Sequence, residues 1–207
     1  MNTARVGSAL RVVKPVVTAL ALLLGANANA AAQRSTMTGF TWGTALPSSD
    51  TKDFTDAFSW ANVNFETRAI SGTNSVGFSI GWNVFDNVVD ETRTFAAQPV
   101  TLTGRQFRTI NAMPILITGH KYLGQMSDAH GYVGAGVGTI YARNRVDVGI
   151  LSVDESHWHF AVVPEVGFRL PVNNDALVYV NVKYNWGASR DDVSTQFFGF
   201  NIGFSSR

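Results

Sequence analysis

The chain contains no cysteine, so neither disulfides nor thiolate metal sites are available to it. Charge is also scarce: Asp, Glu, Lys and Arg make up 15% of the 207 residues, against about 25% in ordinary soluble domains. Neither sign dominates, the formal net charge being +1, which argues against a polyanion partner held by bulk charge. No apolar run approaches the roughly 18 residues of a spanning helix, so helical membrane spans are excluded. Glycine, with 19 residues, and aromatic side chains, at 12%, are plentiful.

The amino-terminal segment reads as an export signal. Arg5, Arg11 and Lys14 precede an apolar stretch from Pro15 to Ala26, and Ala28-Asn29-Ala30 forms an A-x-A cleavage box. The apolar stretch is too short to anchor the chain as a helix, which needs about 20 residues. The expected organisation is a cleaved signal over residues 1–30 and one mature domain over 31–207. That domain has thirteen basic and fifteen acidic residues.

The rest of the chain alternates with period two, the mark of strands with one apolar face. Phe198, Phe200, Ile202 and Phe204 oppose Phe197, Gly199, Asn201 and Gly203. Val178, Val180, Val182, Tyr184 and Trp186 oppose Tyr179, Asn181, Lys183 and Asn185. Over residues 157–170, Trp158, Phe160, Val162, Pro164, Val166, Phe168 and Leu170 oppose His157, His159, Ala161, Val163, Glu165, Gly167 and Arg169. The same pattern runs through 38–46, 61–69 and 76–85, and more weakly through 132–142. Residues 109–122 are apolar on both parities, so their facing is open. Eight strands result.

The intervening segments, 47–58, 70–75, 86–107, 123–130, 146–156, 171–176 and 187–196, alternate between longer and shorter. This is the connectivity of an up-and-down membrane barrel, with tight turns at one end and long loops at the other. Loops 86–107, 146–156 and 187–196 would meet the exterior. A helical turn is expected in the first loop, where Ser49-Asp50 precede Asp53 to Phe58.

A soluble lipocalin-like barrel would turn its apolar face inward and expose a face rich in Lys, Glu, Ser and Thr. Here the opposing face holds Gly, Asn and isolated ions, which suits a narrow lumen. Glycines also weaken a strand that faces water. The predicted fold is therefore all-β, an eight-stranded antiparallel up-and-down transmembrane barrel. Trp42, Trp82, Trp158 and Trp186 fall toward one rim, as amphipathic rings do at a membrane interface. Trp60 shares that rim but has lumen parity, which would place it inside. Phe168, Phe204 and Tyr122 would form the opposite girdle.

The stretches Gly77-Phe78-Ser79-Ile80-Gly81-Trp82-Asn83-Val84-Phe85, Gly131 to Gly138, Pro164 to Leu170 and Phe198 to Phe204 resemble the small outer-membrane β-barrel proteins of the OmpA and OmpX type. The resemblance implies an integral protein of the outer membrane of a diderm bacterium, in contact with outer-membrane lipid and lipopolysaccharide and inserted by the outer-membrane insertion machinery. That machinery reads a last strand ending in an aromatic residue; here Ser205, Ser206 and Arg207 follow Phe204. Members range from anchors and adhesins to narrow channels, so the likeness speaks to fold more than to activity.

Signals for chemistry are few. His157 and His159 share a strand face but lack a third metal ligand. Ser152, Asp154, Glu155, Ser156 and His159 contain the residue types of a hydrolytic site without a scaffold that holds base to nucleophile. Gly134 to Gly138 lies in a strand pattern with no helix after it, so it is no dinucleotide loop. No cofactor and no enzymatic activity are expected, with a lipid-modifying barrel enzyme the last alternative after a plug and a channel. Inward parity gathers Glu66, Arg68, Glu165, Arg169 and Lys183 with Asn62, Asn64, Asn83 and Asn181. In a narrow barrel such ions must be paired or hydrated. A self-neutralising plug is the first reading and a narrow small-solute or ion channel the alternative, with an extracellular ligand of the loops left open. A hairpin symmetric about residue 174 would set Glu165 opposite Lys183.

Overall fold

The computed structural model describes residues 35–97, 100–124, 128–173, 176–190 and 193–206. The export segment expected over 1–30 lies outside these residues. The strands are β1 (Ser35–Ser48), β2 (Ser59–Ser71), β3 (Asn74–Ala97), β4 (Val100–Tyr122), β5 (His130–Val148), β6 (Leu151–Pro171), β7 (Ala176–Arg190) and β8 (Val193–Ser206), with one short helix, α1 (Asp50–Phe54), after β1. Each strand pairs antiparallel with its neighbours in sequence, and β8 closes on β1, giving a closed eight-stranded up-and-down barrel. Closure leaves no edge along the wall, so every strand there has partners on both sides.

The period-two pattern sets the facing. Phe40, Trp42, Phe65, Phe78, Trp82, Phe168, Val180, Phe200, Ile202 and Phe204 stand exposed on the outer wall, while Thr41, Asn64, Glu66, Arg68, Ser79, Glu165, Asn181, Lys183 and Asn201 are buried inside. An eight-stranded barrel has an interior just wide enough for side chains to fill. In the segment whose facing was open, even residues point inward: Ile110, Ala112, Leu116, Thr118, His120 and Tyr122 are buried, whereas Ile117 is exposed.

At one end the strands turn tightly. Ser71 pairs with Asn74 across a two-residue turn whose Gly72 has φ 57°, the left-handed region glycine enters without steric cost. At the other end, the segments expected as loops are largely paired strand. The β3–β4 ladder continues to Ala97↔Val100, β5–β6 to Val148↔Leu151, and β7–β8 to Arg190↔Val193. About 9–11 residues suffice to cross a bilayer, and β3 has 24. Beyond the apolar belt both faces of a ribbon meet water, so the alternation that marks a strand in the sequence disappears there although the hydrogen-bonded ladder continues.

Two further placements differ from the sequence reading. Trp60 is 69% exposed rather than inside. Gly43 pairs with Asn62 but Ala45 with Ser59, so β2 holds one extra residue in a bulge, and a bulge re-aims the side chains beyond it. Tyr122 is 1% exposed and sits in the lumen rather than in a girdle.

Candidate functional site

The lumen divides into an apolar half and an ionic half. Toward the long hairpins, Ala45, Phe85, Ile110, Ala112, Leu116, Ile140, Ala161, Val163 and Phe197 form one buried cluster, with the Phe85 and Phe197 rings edge to face at 5.4 Å. Phe197, Ala161 and Val163 already had inward parity in the sequence, but their gathering into one apolar layer did not show among the Gly, Asn and ionic residues of that face. Its members are spaced along six strands, with three on β4, two on β6 and one on each of the others.

Toward the short turns, acids and bases converge from β2, β4, β6 and β7. Arg68 Nη2 lies 2.8 Å from Glu66 and 3.3 Å from Glu165 Oε1. Lys183 Nζ is 3.6 Å from Glu165 Oε2, and His120 Nε2 is 3.4 Å from the same oxygen. Glu165 Oε1 also accepts from Tyr132 Oη at 2.6 Å and from Asn181 Nδ2 at 3.0 Å. Tyr179 Oη donates to Glu66 at 2.8 Å. The carboxylate of Glu165 is only 4% exposed, so this density of donors is what burial of an ion requires. The expected register is the observed one: Glu165 pairs with Lys183 and Arg169 with Tyr179.

Glycines make the room. A Cβ on Gly167 would lie 2.5 Å from the Tyr132 ring, and one on Gly134 would collide with the His120 ring. Both stand beneath a ring that bonds to Glu165.

Amides carry the network up the barrel. Asn201 donates to Asn181 at 2.7 Å, Asn64 to Asn201 at 3.4 Å and to Asn62 at 3.0 Å, and Asn62 to the Thr44 carbonyl at 3.0 Å. Asn83 is buried on the same inner face, with no hydrogen bond to its Oδ1 among the described residues.

Of the residues the sequence singled out, Glu66, Arg68, Glu165, Lys183 and Asn181 come together. Arg169 lies further along β6, toward the short turn. Its guanidinium lies 4.7 Å over the Tyr122 ring and donates to Met37 Sδ at 2.9 Å, since four residues along a strand, roughly 13 Å, separate it from Glu165. The sequence left Ser75, His120, Tyr132 and Tyr179 out of the network and assigned Tyr122 to the girdle. Tyr179 was legible, because it shares parity with Asn181 and Lys183; His120 and Tyr122 were hidden in the stretch of uncertain facing. Trp42, Trp82 and Trp158 stand exposed on the outer wall with Phe168 and Phe204, and Trp186 is partly exposed.

The apolar end is capped by α1. Phe54 packs against the cluster, with the Arg108 guanidinium 5.5 Å over its ring and donating to its carbonyl at 3.1 Å. Asp50 accepts from the Ser194 amide at 3.0 Å and Thr51 Oγ1 from the Gln196 amide at 2.8 Å. These two bonds cover β8 amides near the point where its pairing with β1 ends, at Ser48↔Gln196.

Among the described residues no group of three His, Asp or Glu is placed to hold a metal. The His157 and His159 rings lie 6.0 Å apart, and His159 bonds the Ala188 carbonyl at 2.9 Å. The hydrolytic residue types are not assembled. Ser152 donates to Asp147, Asp154 accepts from Arg143 at 2.9 Å, and His159 points into the lumen. On this exposed hairpin the Ser152 hydroxyl, with Arg145 beside it, holds the Asp147 carboxyl below the usual carboxylate range.

No protein-family model and no curated protein sequence matches the chain. Solved structures do. Neisserial surface protein A superposes with a TM-score of 0.53 at 12% identity, over 84% of this chain and 98% of that one. The outer membrane protein OprG of Pseudomonas aeruginosa gives 0.49 at 12% identity, over 86% and 99%. The attachment invasion locus protein of Yersinia pestis gives 0.47 at 12% identity, over 83% and 97%. The fold is that of the small eight-stranded outer-membrane barrels.

Proposed function

We propose that the chain is an integral outer-membrane barrel whose lumen is shut and whose extended hairpins act at the cell surface, in envelope architecture or in contact with an external partner. The observation that carries the closed reading is the filling of the lumen at both ends. Glu66, Arg68, Glu165 and Lys183 lie within 2.8–3.6 Å of a partner at one end, and Phe54 sits on the apolar cluster at the other. Membrane residence is supported by the outer wall, where large apolar side chains from every part of the circumference stand exposed. In water such a continuous surface would associate; against lipid it is the stable arrangement.

Orientation follows from the asymmetry of the ends, with short turns toward the periplasm and the long hairpins outward. Outer-membrane lipid and lipopolysaccharide then surround the belt, and the aromatic β8, ending near Phe204, is the segment offered to the insertion machinery. The hairpins carry paired surface charge, Arg143 with Asp154 at 2.9 Å and Arg145 with Asp147 at 2.9 Å.

Planar-bilayer conductance of the refolded barrel at neutral pH tests this. The expected result is a barrel that migrates heat-modifiably in detergent gels and passes no steady current. Steady ion flow would replace the closed reading with a narrow channel, and recovery as a detergent-free soluble monomer would overturn the membrane assignment.

A further inference from the structure

His120 belongs to a closed ring of hydrogen bonds whose direction is fixed at every link. A carboxylate only accepts, so the contact between Glu165 Oε2 and His120 Nε2, at 3.4 Å, requires the imidazole proton on Nε2. The neutral ring then has a bare Nδ1, and Ser75 Oγ, 3.3 Å away, must donate to it. With its proton so used, Ser75 accepts from Tyr122 Oη at 3.0 Å. Tyr122 in turn accepts from Arg68 Nη1 at 3.5 Å, and Arg68 Nη2 returns to Glu165 Oε1 at 3.3 Å. The ring Glu165–His120–Ser75–Tyr122–Arg68 joins β2, β3, β4 and β6, and with His120 neutral each hydroxyl in it donates once and accepts once.

We propose that His120 is the acid-sensitive element of this ring, and that its second protonation loosens the periplasmic half of the lumen. A proton on Nδ1 turns that atom into a donor toward Ser75 Oγ, and the Ser75 hydrogen must leave it. Ser75 then accepts from both His120 and Tyr122, or turns and donates to Tyr122; either way one hydroxyl hydrogen of the pair is left with no acceptor in the ring. The new cation also stands among ions already present. Facing it are Glu66 and Arg68 from β2, Tyr122 from its own strand, Tyr132 from β5 with ring centroids 5.6 Å apart, Glu165 from β6, and Tyr179 and Lys183 from β7. Arg68 and Lys183 already balance Glu66 and Glu165, so an imidazolium adds a net buried charge. Lys183 and His120 share one carboxylate oxygen, at 3.6 and 3.4 Å, so an imidazolium competes with the ammonium for the same lone pairs. The His120–Glu165 contact persists, so what loosens is the Ser75–Tyr122 side of the ring, where a hydroxyl hydrogen is left without an acceptor beside a surplus buried charge.

The test uses the full barrel in two ways. Ring-nitrogen NMR of His120 at about pH 8, above the imidazole range, is expected to show the Nε2–H tautomer; an Nδ1–H tautomer overturns the proposal without any variant. Bilayer recordings at about pH 8 and about pH 5 then compare the wild type with His120→Gln, which keeps an amide donor toward Glu165 but cannot titrate. Transient openings of the wild type should rise about tenfold or more on acidification, the scale of one pK unit of coupling, while His120→Gln, verified as folded by heat-modifiable migration, should not respond. Equal acid responses in both proteins, or none in the wild type, overturn it. A wild type that already conducts steadily at about pH 8 sinks the closed-lumen reading instead, and the difference between the two proteins on acidification still decides this one.

Discussion

Glu165 and Lys183 face each other across the β6–β7 hairpin, and Lys183 Nζ lies 3.6 Å from Glu165 Oε2 inside the barrel. Removing one member of a buried pair leaves the other charge uncompensated, which costs about 3–5 kcal/mol where the site is dry. Glu165→Gln should destabilise the barrel on that scale in reversible urea unfolding from micelles. Adding Lys183→Met should restore part of the loss, because Arg68 keeps Glu66 as partner. A double-mutant cycle with no coupling would refute the pairing.

Gly167→Ala should displace Tyr132, since the added Cβ would lie 2.5 Å from the phenol ring. Overpacking of this kind costs about 1–3 kcal/mol, and the Tyr132–Glu165 hydrogen bond is lost with it. The unfolding midpoint measures the cost, and Tyr132→Phe in the Gly167→Ala background should add little.

The outer cap rests on Phe54 and on the Asp50 and Thr51 bonds to β8. Phe54→Ala should cost less than the roughly 3–5 kcal/mol of a fully buried phenylalanine, because this ring is only partly buried. Amide exchange at Ser194 and Gln196 should accelerate in the variant while the Asn181–Asn201 level stays protected. Uniform acceleration would mean that α1 is coupled to the whole lumen rather than to its mouth.

Facing is tested by neighbours of opposite parity. Val180 is exposed on the outer wall and Asn181 buried in the lumen. Val180→Arg near the middle of the strand should destabilise by about 2–4 kcal/mol in lipid. Asn181→Leu should instead release the Glu165 and Asn201 bonds and leave the lipid face intact. Proteolysis in liposomes that finds the two variants equally tolerated would contradict the register.

Ser152→Ala should raise the Asp147 carboxyl toward its ordinary range, because the Ser152 hydroxyl is the main cause of its depression. A depressed carboxylate stabilises the hairpin above the unfolded-state value and loses that contribution as pH falls through the folded one. The variant should therefore lose hairpin order at a higher pH than the wild type, as read from side-chain carboxyl NMR shifts. An unchanged titration would assign the depression to Arg145 instead.

The sequence by itself determined the strand count, the closed up-and-down order and the wall facing, because period-two alternation is imposed locally by the pleat and survives wherever one face meets lipid and the other the lumen. It also determined the hairpin that sets Glu165 against Lys183, since a short turn fixes register arithmetically. Tertiary structure decided what lies across the barrel. Arg68 reaches Glu165, and Asn64 reaches Asn201, from strands far apart in sequence, and no local pattern encodes which inward side chains meet at the axis. A single bulged residue in β2 sent Trp60 outward, a change invisible to parity counting. Residues 109–122 carried apolar groups on both faces, so only closure of the barrel, with β3 and β5 fixed on either side, turned His120 and Tyr122 into the lumen. The outer hairpins escaped notice for a related reason: in water on both faces, a strand has hydrogen bonds to hold it and no hydrophobic alternation to announce it.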